Sequence, residues 1–242
     1  MLAFVTGSGL YSLPGMIDVE PLLVETDFGD VTVSMGTFAG STVAFLPRHG
    51  SDHSVPPHRI NYRANVSALA SVGATAILAT AVSGSIDPEV LPGSLRLIDQ
   101  FIDFTNGRQL TFFDDAVRHT DMTEPYDSDL RSLLLACAEA EGVKMTATGT
   151  YICTNGPRFE TPAEIKMAGV MGAHLVGMTG CPEVVLANEL GIPYASIGVV
   201  SNMAAGLTGD PLSLDDINHI LKDTVEQLAR IFSRAAARFA SG

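Results

Sequence analysis

The sequence predicts an α/β fold, a mostly parallel or mixed central sheet flanked by helices. Three observations predict it. Continuous apolar runs of strand length, such as Leu2-Ala3-Phe4-Val5-Thr6 and Ala76-Ile77-Leu78-Ala79-Thr80-Ala81-Val82, read as strands buried on both faces. Helical patterns alternate with them along the chain. The strands stop at corners marked by Gly, Ser or Pro, where folds of this class place ligand contacts. With 242 residues, 46% of them hydrophobic, the chain suits a single domain spanning residues 1–242 around one large core.

The elements follow in order. Leu2 to Thr6 is a strand that ends in Gly7-Ser8-Gly9-Leu10, a turn able to grip a small anion with amides and the Ser8 hydroxyl. As a dinucleotide fingerprint it is weak, because Ser12 stands where a third glycine belongs. Val31 to Phe38 and Thr42 to Leu46 form a hairpin turning at Ala39-Gly40, and its second strand runs into Arg48-His49-Gly50. Asn61 to Val72 is a helix stopped by Gly73. Ala76 to Val82 exits into Ser83-Gly84-Ser85, read as a small-residue turn. Leu95 to Ile102 is a strand after Pro92-Gly93. From Asn106 to Pro125 no period survives, and a loop of that length serves as a lid or an interface. Leu130 to Ala140 is a helix, and Val143 to Cys153 leads to Gly156-Pro157-Arg158-Phe159-Glu160-Thr161. There Thr161 and Glu164 form a capping box with Pro162 at the first helical position. Ala173 to Thr179 is a strand ending in a hydroxyl, Pro182-Glu183 opens a helix, and Tyr194 to Ser201 is the last buried strand. Leu214 to Phe239 closes the chain as a long amphipathic helix.

Composition excludes several function classes. The net charge is −13, which repels nucleic acid and anionic membranes. Cys137, Cys153 and Cys181 are widely spaced with no CxxC pair, hence neither a disulfide frame nor a zinc site. Without a charged leader or an apolar run of spanning length, the expected location is the cytoplasm. His49, His53 and His58 invite a metal reading, but Pro56-Pro57 breaks the segment and no carboxylate completes a site, so none is assigned. Glu183 reads as a charge favouring a helix N-terminus, and His174 and His219 as ordinary histidines.

The strand ends divide into two chemical sets. Ser8, Arg48-His49, the amides after Ala81 and Thr179 suit an oxyanion; Arg48 offers a fork that matches phosphate oxygens. Phe159-Glu160, Met178 and Asn202 form a flat apolar clamp with one carboxylate and one amide. Together they suit a phosphate beside an aromatic heterocycle.

Arg48-His49-Gly50, Pro57-His58-Arg59-Ile60-Asn61-Tyr62-Arg63-Ala64-Asn65, Asp99-Gln100-Phe101-Ile102-Asp103, Gly156 to Thr161 and Val176-Gly177-Met178-Thr179 resemble the trimeric purine nucleoside phosphorylases. Within that family the likeness is to the 5′-methylthioadenosine and S-methyl-5′-thioinosine phosphorylase branch, from Val5 to the last helix. The resemblance implies a nucleoside-phosphorylase-type mixed sheet and a homotrimer. It places phosphate at Ser8, Arg48, His49, Ala81, Val82 and Thr179, and base and ribose at Phe159 and Met178. His119 and Met122 match residues that reach a neighbouring subunit's site. It also implies the reaction: inorganic phosphate, the co-substrate, attacks C1′ of a purine nucleoside with no further cofactor. Arg48, His49, Glu160 and Asn202 are the expected catalytic set.

Two positions carry the expected substrate choice. Adenine-selective members of the family carry Asp at the position of Asn202 and a small residue at that of Glu160. The pair Glu160 and Asn202 fits a 6-oxopurine: Glu160 accepts N1–H, and the Asn202 amide serves O6 and N7. Leu214 matches the position that reads the 5′ end of the sugar, where an apolar side chain suits a methylthio group. The stretch Asn202-Met203-Ala204-Ala205-Gly206 resembles the thioinosine branch, with Ala204 at the ligand. The expectation is phosphorolysis of S-methyl-5′-thioinosine. Its rivals are a phosphorylase of inosine or guanosine, a methylthioadenosine phosphorylase, a hydrolytic nucleosidase and a non-catalytic nucleotide-binding module.

Overall fold

A computed structural model describes residues 1–208 and 214–240, excluding the side chains of residues 214–216 and 218. Eleven strands among them form one mixed sheet. In chain order they are β1 (Leu2–Thr6), β2 (Ile17–Val24), β3 (Val31–Phe38), β4 (Ser41–Pro47), β5 (Ala76–Ser85), β6 (Leu95–Leu97), β7 (Gln100–Asp103), β8 (Met145–Thr146), β9 (Thr150–Cys153), β10 (Leu175–Gly177) and β11 (Tyr194–Met203). The helices are α1 (Tyr62–Ser71), α2 (Ser128–Ala140), α3 (Pro162–Val170), α4 (Cys181–Glu189) and α5 (Leu214–Phe239). No described helix is long and apolar enough to cross a membrane.

Alternation along β1 and β5 explains why their sequences are apolar throughout. Ala3, Val5, Ile77 and Ala79 face a layer that includes Val66 and Leu69 of α1 and Val184 of α4. Leu2, Phe4, Ala76 and Leu78 face the other layer, with Leu134 of α2 and Leu228 and Phe232 of α5. A strand covered on both sides has no solvent face to make polar.

The element that positions the site is β5. On one edge it pairs along its length with β11, Tyr194↔Ile77 to Met203↔Ser85. On the other edge it has two partners. β1 runs parallel to it and pairs up to Val5↔Ala79; β10 runs antiparallel and pairs at Val176↔Gly84 and Leu175↔Ser85. The C-terminal ends of β1 and β10 therefore converge on the stretch Thr80–Ser83, which neither strand covers.

The structure corrects three readings. Ser83-Gly84-Ser85 is no turn; β5 continues through Ser85 because β10 and β11 both pair with it there. Leu95 to Ile102 divides into β6 and β7, which pair with different neighbours, β11 and β8 for one and β9 for the other. β2, whose residues are mostly exposed, escaped detection: it pairs with β3 alone and carries no buried face to impose a period.

The loop from Asn106 to Pro125 is fastened at several points. Glu189 accepts from Thr111 Oγ1 and the Phe112 amide, both at 2.7 Å. Arg63 pairs with Asp114, and Gln100 donates to the Thr123 carbonyl. Arg108 donates to the carbonyls of Thr154, Asn155 and Met178 and lies over the Tyr62 ring. The loop expected to serve as a lid or an interface is thus tied to the body of the chain.

Candidate active site

The end of the uncovered stretch of β5, Val82 and Ser83, borders a cleft of about 760 Å³, a size typical of small-molecule sites. Residues just past the ends of the converging strands line it: Gly7 and Ser8 beyond β1, Arg48 and His49 beyond β4, Met178 and Thr179 beyond β10. Val82, Ser83 and Gly84 of β5, Phe159 and Glu160, and Ser201, Asn202 and Ala204 complete it.

Arg48 reaches the gap because its amide extends the β1–β4 ladder, donating to Thr6 O at 2.8 Å. Its side chain then turns inward, and Nη1 donates to the Thr80 carbonyl at 3.0 Å, a backbone acceptor that the gap would otherwise leave bare. Its Nε and Nη2 donate in parallel to Glu183 at 2.7 Å each, and the Tyr194 hydroxyl donates to the same carboxylate at 2.7 Å. Both charges are buried. Burial works against the guanidinium charge, but contact with Glu183 outweighs it and raises the Arg48 pKa further above its ordinary value. Five N–H groups minus these three bonds leaves two for a ligand. The fork expected of Arg48 is therefore held in place by an ion pair. Glu183, expected merely to suit a helix N-terminus, is its counter-ion.

His49 donates from Nδ1 to the Val55 carbonyl at 2.8 Å. Burial, then the nearby Arg48 charge, pushes its pKa down to about 4 against that bond. The His53 ring lies 4.8 Å from it, and His53 Nδ1 meets the Tyr11 hydroxyl at 3.1 Å. His58 is not among the residues lining the cleft, and no group of three metal-ligating side chains converges among the described residues.

On the other side of the cleft, Glu160 accepts from Thr154 Oγ1 at 2.6 Å through Oε1, leaving Oε2 for a ligand. The corner that carries it is built as expected, with the Thr161–Glu164 capping box in place. Gly156 passes so close to Met178 that a Cβ there would collide with the sulfur, so Met178 is held against the Glu160 corner. Asn202 follows a bulge between Val200 and Asn202 in β11, which brings Ser201 and Asn202 to the cleft together. Its Oδ1 accepts from Ser201 Oγ at 2.8 Å and its Nδ2 donates to the Met203 carbonyl at 2.8 Å. One lone pair and one N–H remain.

Of the expected site residues, Ser8, Arg48, His49, Val82, Phe159, Glu160, Met178, Thr179, Asn202 and Ala204 share this cleft. Ala81 does not: it is buried in the core, and the alternation of β5 turns Val82 to the cleft instead. His119 is exposed on the long loop and does not line this chain's cleft. The side chain of Leu214 lies outside the described residues; Ile217, one turn further along α5, lines the cleft. Gly7, in the turn expected to grip an anion, lines the cleft; sequence reasoning missed Thr154, Ile217 and the role of Glu183. Local signals were absent, since each matters through a contact set by the sheet; the Arg48–Glu183 pair spans 135 positions.

Residues 2–237 match the phosphorylase superfamily. A probable 6-oxopurine nucleoside phosphorylase from Dictyoglomus turgidum is 44% identical over 96% of this chain and 89% of its own length. The chain belongs to the phosphorylase superfamily. A second member, the 6-oxopurine nucleoside phosphorylase of Pyrococcus furiosus, is 42% identical over 97% of this chain and 91% of its own. A third, a probable S-methyl-5′-thioinosine phosphorylase of Pseudomonas syringae pv. tomato, is 41% identical over 96% and 98% respectively. Among solved structures, methylthioadenosine phosphorylase from Schistosoma mansoni in complex with adenine gives a TM-score of 0.95 at 31% identity, covering 100% of this chain and 92% of that one.

Proposed function

We infer that this chain, a purine nucleoside phosphorylase and hence a pentosyltransferase, acts on S-methyl-5′-thioinosine. The products are hypoxanthine and 5-methylthio-ribose 1-phosphate. One observation carries the reading: a single cleft joins a buried arginine fork to a carboxylate and a carboxamide that each keep an unspent polar group.

In this scheme a phosphate oxygen forms a bond to C1′ as the C1′–N9 bond breaks, and the purine leaves with the electron pair. The sugar passes through an oxocarbenium-like state, as in glycoside cleavage. Arg48 and the small-residue turn orient the nucleophile, whose own charge stabilises the cationic sugar. Glu160 Oε2 accepts N1–H of hypoxanthine, and the free Asn202 N–H serves O6 or N7 as charge builds on the base. Against adenine, whose N1 is an acceptor, the carboxylate is left unpaired at a cost of about 1–3 kcal/mol. The apolar Ile217 on the cleft supports a methylthio group at the 5′ end.

A second reading, a 6-oxopurine phosphorylase of inosine or guanosine, is favoured by Tyr11 and His53. Their polar atoms also border the cleft and suit a 5′-hydroxyl. It also agrees with the names of several relatives.

The test is a substrate panel read by released base, with and without phosphate. Hypoxanthine is expected from S-methyl-5′-thioinosine in phosphate buffer alone, at a kcat/KM about 10-fold or more above inosine. Preference for inosine selects the second reading, adenine release from methylthioadenosine refutes the base assignment, and turnover without phosphate makes the chain a nucleosidase. Glu160→Gln should cut hypoxanthine release about 10-fold to 100-fold.

A further inference from the structure

Arg108, near the start of the long loop, turns its charge to backbone. Its Nη2 donates to the carbonyls of Thr154, Asn155 and Met178 at 3.2, 3.0 and 2.8 Å, so two N–H groups are shared among three acceptors. Nη1 donates to the Tyr62 hydroxyl at 3.2 Å, and the guanidinium carbon lies 5.4 Å from the centre of that ring. Among the described residues no carboxylate pairs with this arginine, and its buried Nε–H has no partner. Its place is therefore set by the three carbonyls and the Tyr62 ring, not by an ion pair.

These carbonyls belong to the strand ends that carry the nucleoside side of the cleft. Thr154, just past β9, holds Glu160 through its hydroxyl at 2.6 Å, and Met178, just past β10, lines the cleft. β9 and β10 pair as far as Gly177↔Cys153, and the Thr154 amide adds one more bond to the Gly177 carbonyl at 2.8 Å. Past that point the Thr154 and Met178 carbonyls share Arg108 Nη2 as a bridge. The same loop grips Asn155 in both directions, its side chain exchanging two 3.0 Å bonds with the backbone of Asn106. The anion side has anchors of its own. The Thr179 amide donates to the Tyr151 hydroxyl at 3.2 Å, and the Thr179 carbonyl accepts from Cys153 Sγ.

We propose that Arg108 is a positioning residue for the nucleoside half of the cleft: by bridging the Thr154 and Met178 carbonyls where the β9–β10 ladder ends, it fixes the separation between Glu160 and Met178. That separation is the slot in which the purine and sugar sit. Arg108 is not among the residues lining the cleft, so it acts through Thr154 and Met178. The anion side, tied to Tyr151 and Cys153, keeps its geometry without it. The inference rests on the assignment of Glu160 to the base made above.

The experiment measures both Michaelis constants and the melting temperature of Arg108→Ala, varying nucleoside and phosphate in turn. The KM of the nucleoside is expected to rise about 10-fold to 100-fold, the effect of losing charged hydrogen bonds, while the KM of phosphate stays within about 2-fold. In a Glu160→Gln background the same substitution should raise the nucleoside KM several-fold less, because Glu160 is one of the groups it places. Should Arg108→Ala not fold, Arg108→Lys takes its place. It keeps the charge, but an ammonium is no planar fork over three carbonyls, so the nucleoside KM should rise about 3-fold to 10-fold with phosphate again unchanged. Equal rises in the two constants, or a lowered melting temperature with neither constant altered, overturn the inference and leave Arg108 a structural role. Full additivity with Glu160→Gln overturns it likewise. Adenine release from methylthioadenosine by the wild-type protein refutes the base assignment instead, and the two Michaelis constants measured on that nucleoside still decide what Arg108 does.

Discussion

The anion cluster and the base cluster share one cleft, but they are held in different ways. Around Arg48 every fixed bond runs to a buried group: Glu183 on α4, Thr80 on β5, and Tyr194 behind the carboxylate. Around Glu160 the support is one threonine hydroxyl, and Phe159 beside it is exposed. An ion pair locked into the core tolerates little change, because either charge left alone is costly. A half-exposed corner can be altered one side chain at a time. That contrast fits a superfamily whose members share a phosphorolytic chemistry while their names report different purines.

Substitutions in the two clusters put the contrast at risk. Arg48→Ala should have the largest effect, since it strands Glu183 in the core. Stability is expected to fall by about 3–5 kcal/mol and phosphate-dependent turnover by more than about 10²-fold. Denaturant unfolding and steady-state rates check both; a variant of near-native stability would mean Glu183 is not held as a buried charge. Gly7→Ala comes next. Gly7 does not occupy the left-handed region, so the added methyl carries no backbone strain and acts only by filling the space 3.2 Å from Arg48 Nη1. The KM for phosphate should rise about 10-fold, the equivalent of about 1.4 kcal/mol, with the melting temperature and nucleoside affinity little altered. An unchanged phosphate KM would move the anion elsewhere in the cleft. Thr154→Val is expected to do least. Removing the hydroxyl that orients Glu160 should raise the KM for nucleoside about 2-fold to 10-fold, the worth of one hydrogen bond, with phosphate KM constant. If phosphate KM moved equally, the two clusters would not be separable.

Proton linkage separates the clusters too. The folded-state pKa of His49, about 4, lies below the ordinary 6.5. Its contribution to stability is therefore fully present above about pH 6.5 and is lost as pH falls toward 4. In wild-type protein the unfolding free energy should decline across that window, and the decline should be smaller in His49→Gln.

Much of the fold is legible in the residues alone. β1 and α5 fall where the residue pattern puts them, because a strand buried on both faces and a long amphipathic helix are each specified by their own residues. The corner at Gly156 to Thr161 is legible for the same reason: Thr161, Pro162 and Glu164 supply a cap within four residues. Ser83 to Ser85 is not, because small residues mark a turn unless neighbouring strands pair with them, and those neighbours come from residues far along the chain. That Ala81 is buried in the core while Val82 lines the cleft is not legible either, since the face a strand residue presents depends on register.

The sequence alone determined which chemical groups stand at the strand ends: an arginine and a histidine after one strand, a carboxylate on one corner, a carboxamide after another strand. Local pattern suffices for that, because each strand end is written by adjacent residues. Only the tertiary structure decided which of those groups share a cleft, which edge of Arg48 stays free, and which nitrogen of His49 holds the proton. These depend on Glu183, Thr80 and Val55, partners brought there by the sheet and by the loop after β4, and no residue pattern near Arg48 or His49 specifies them.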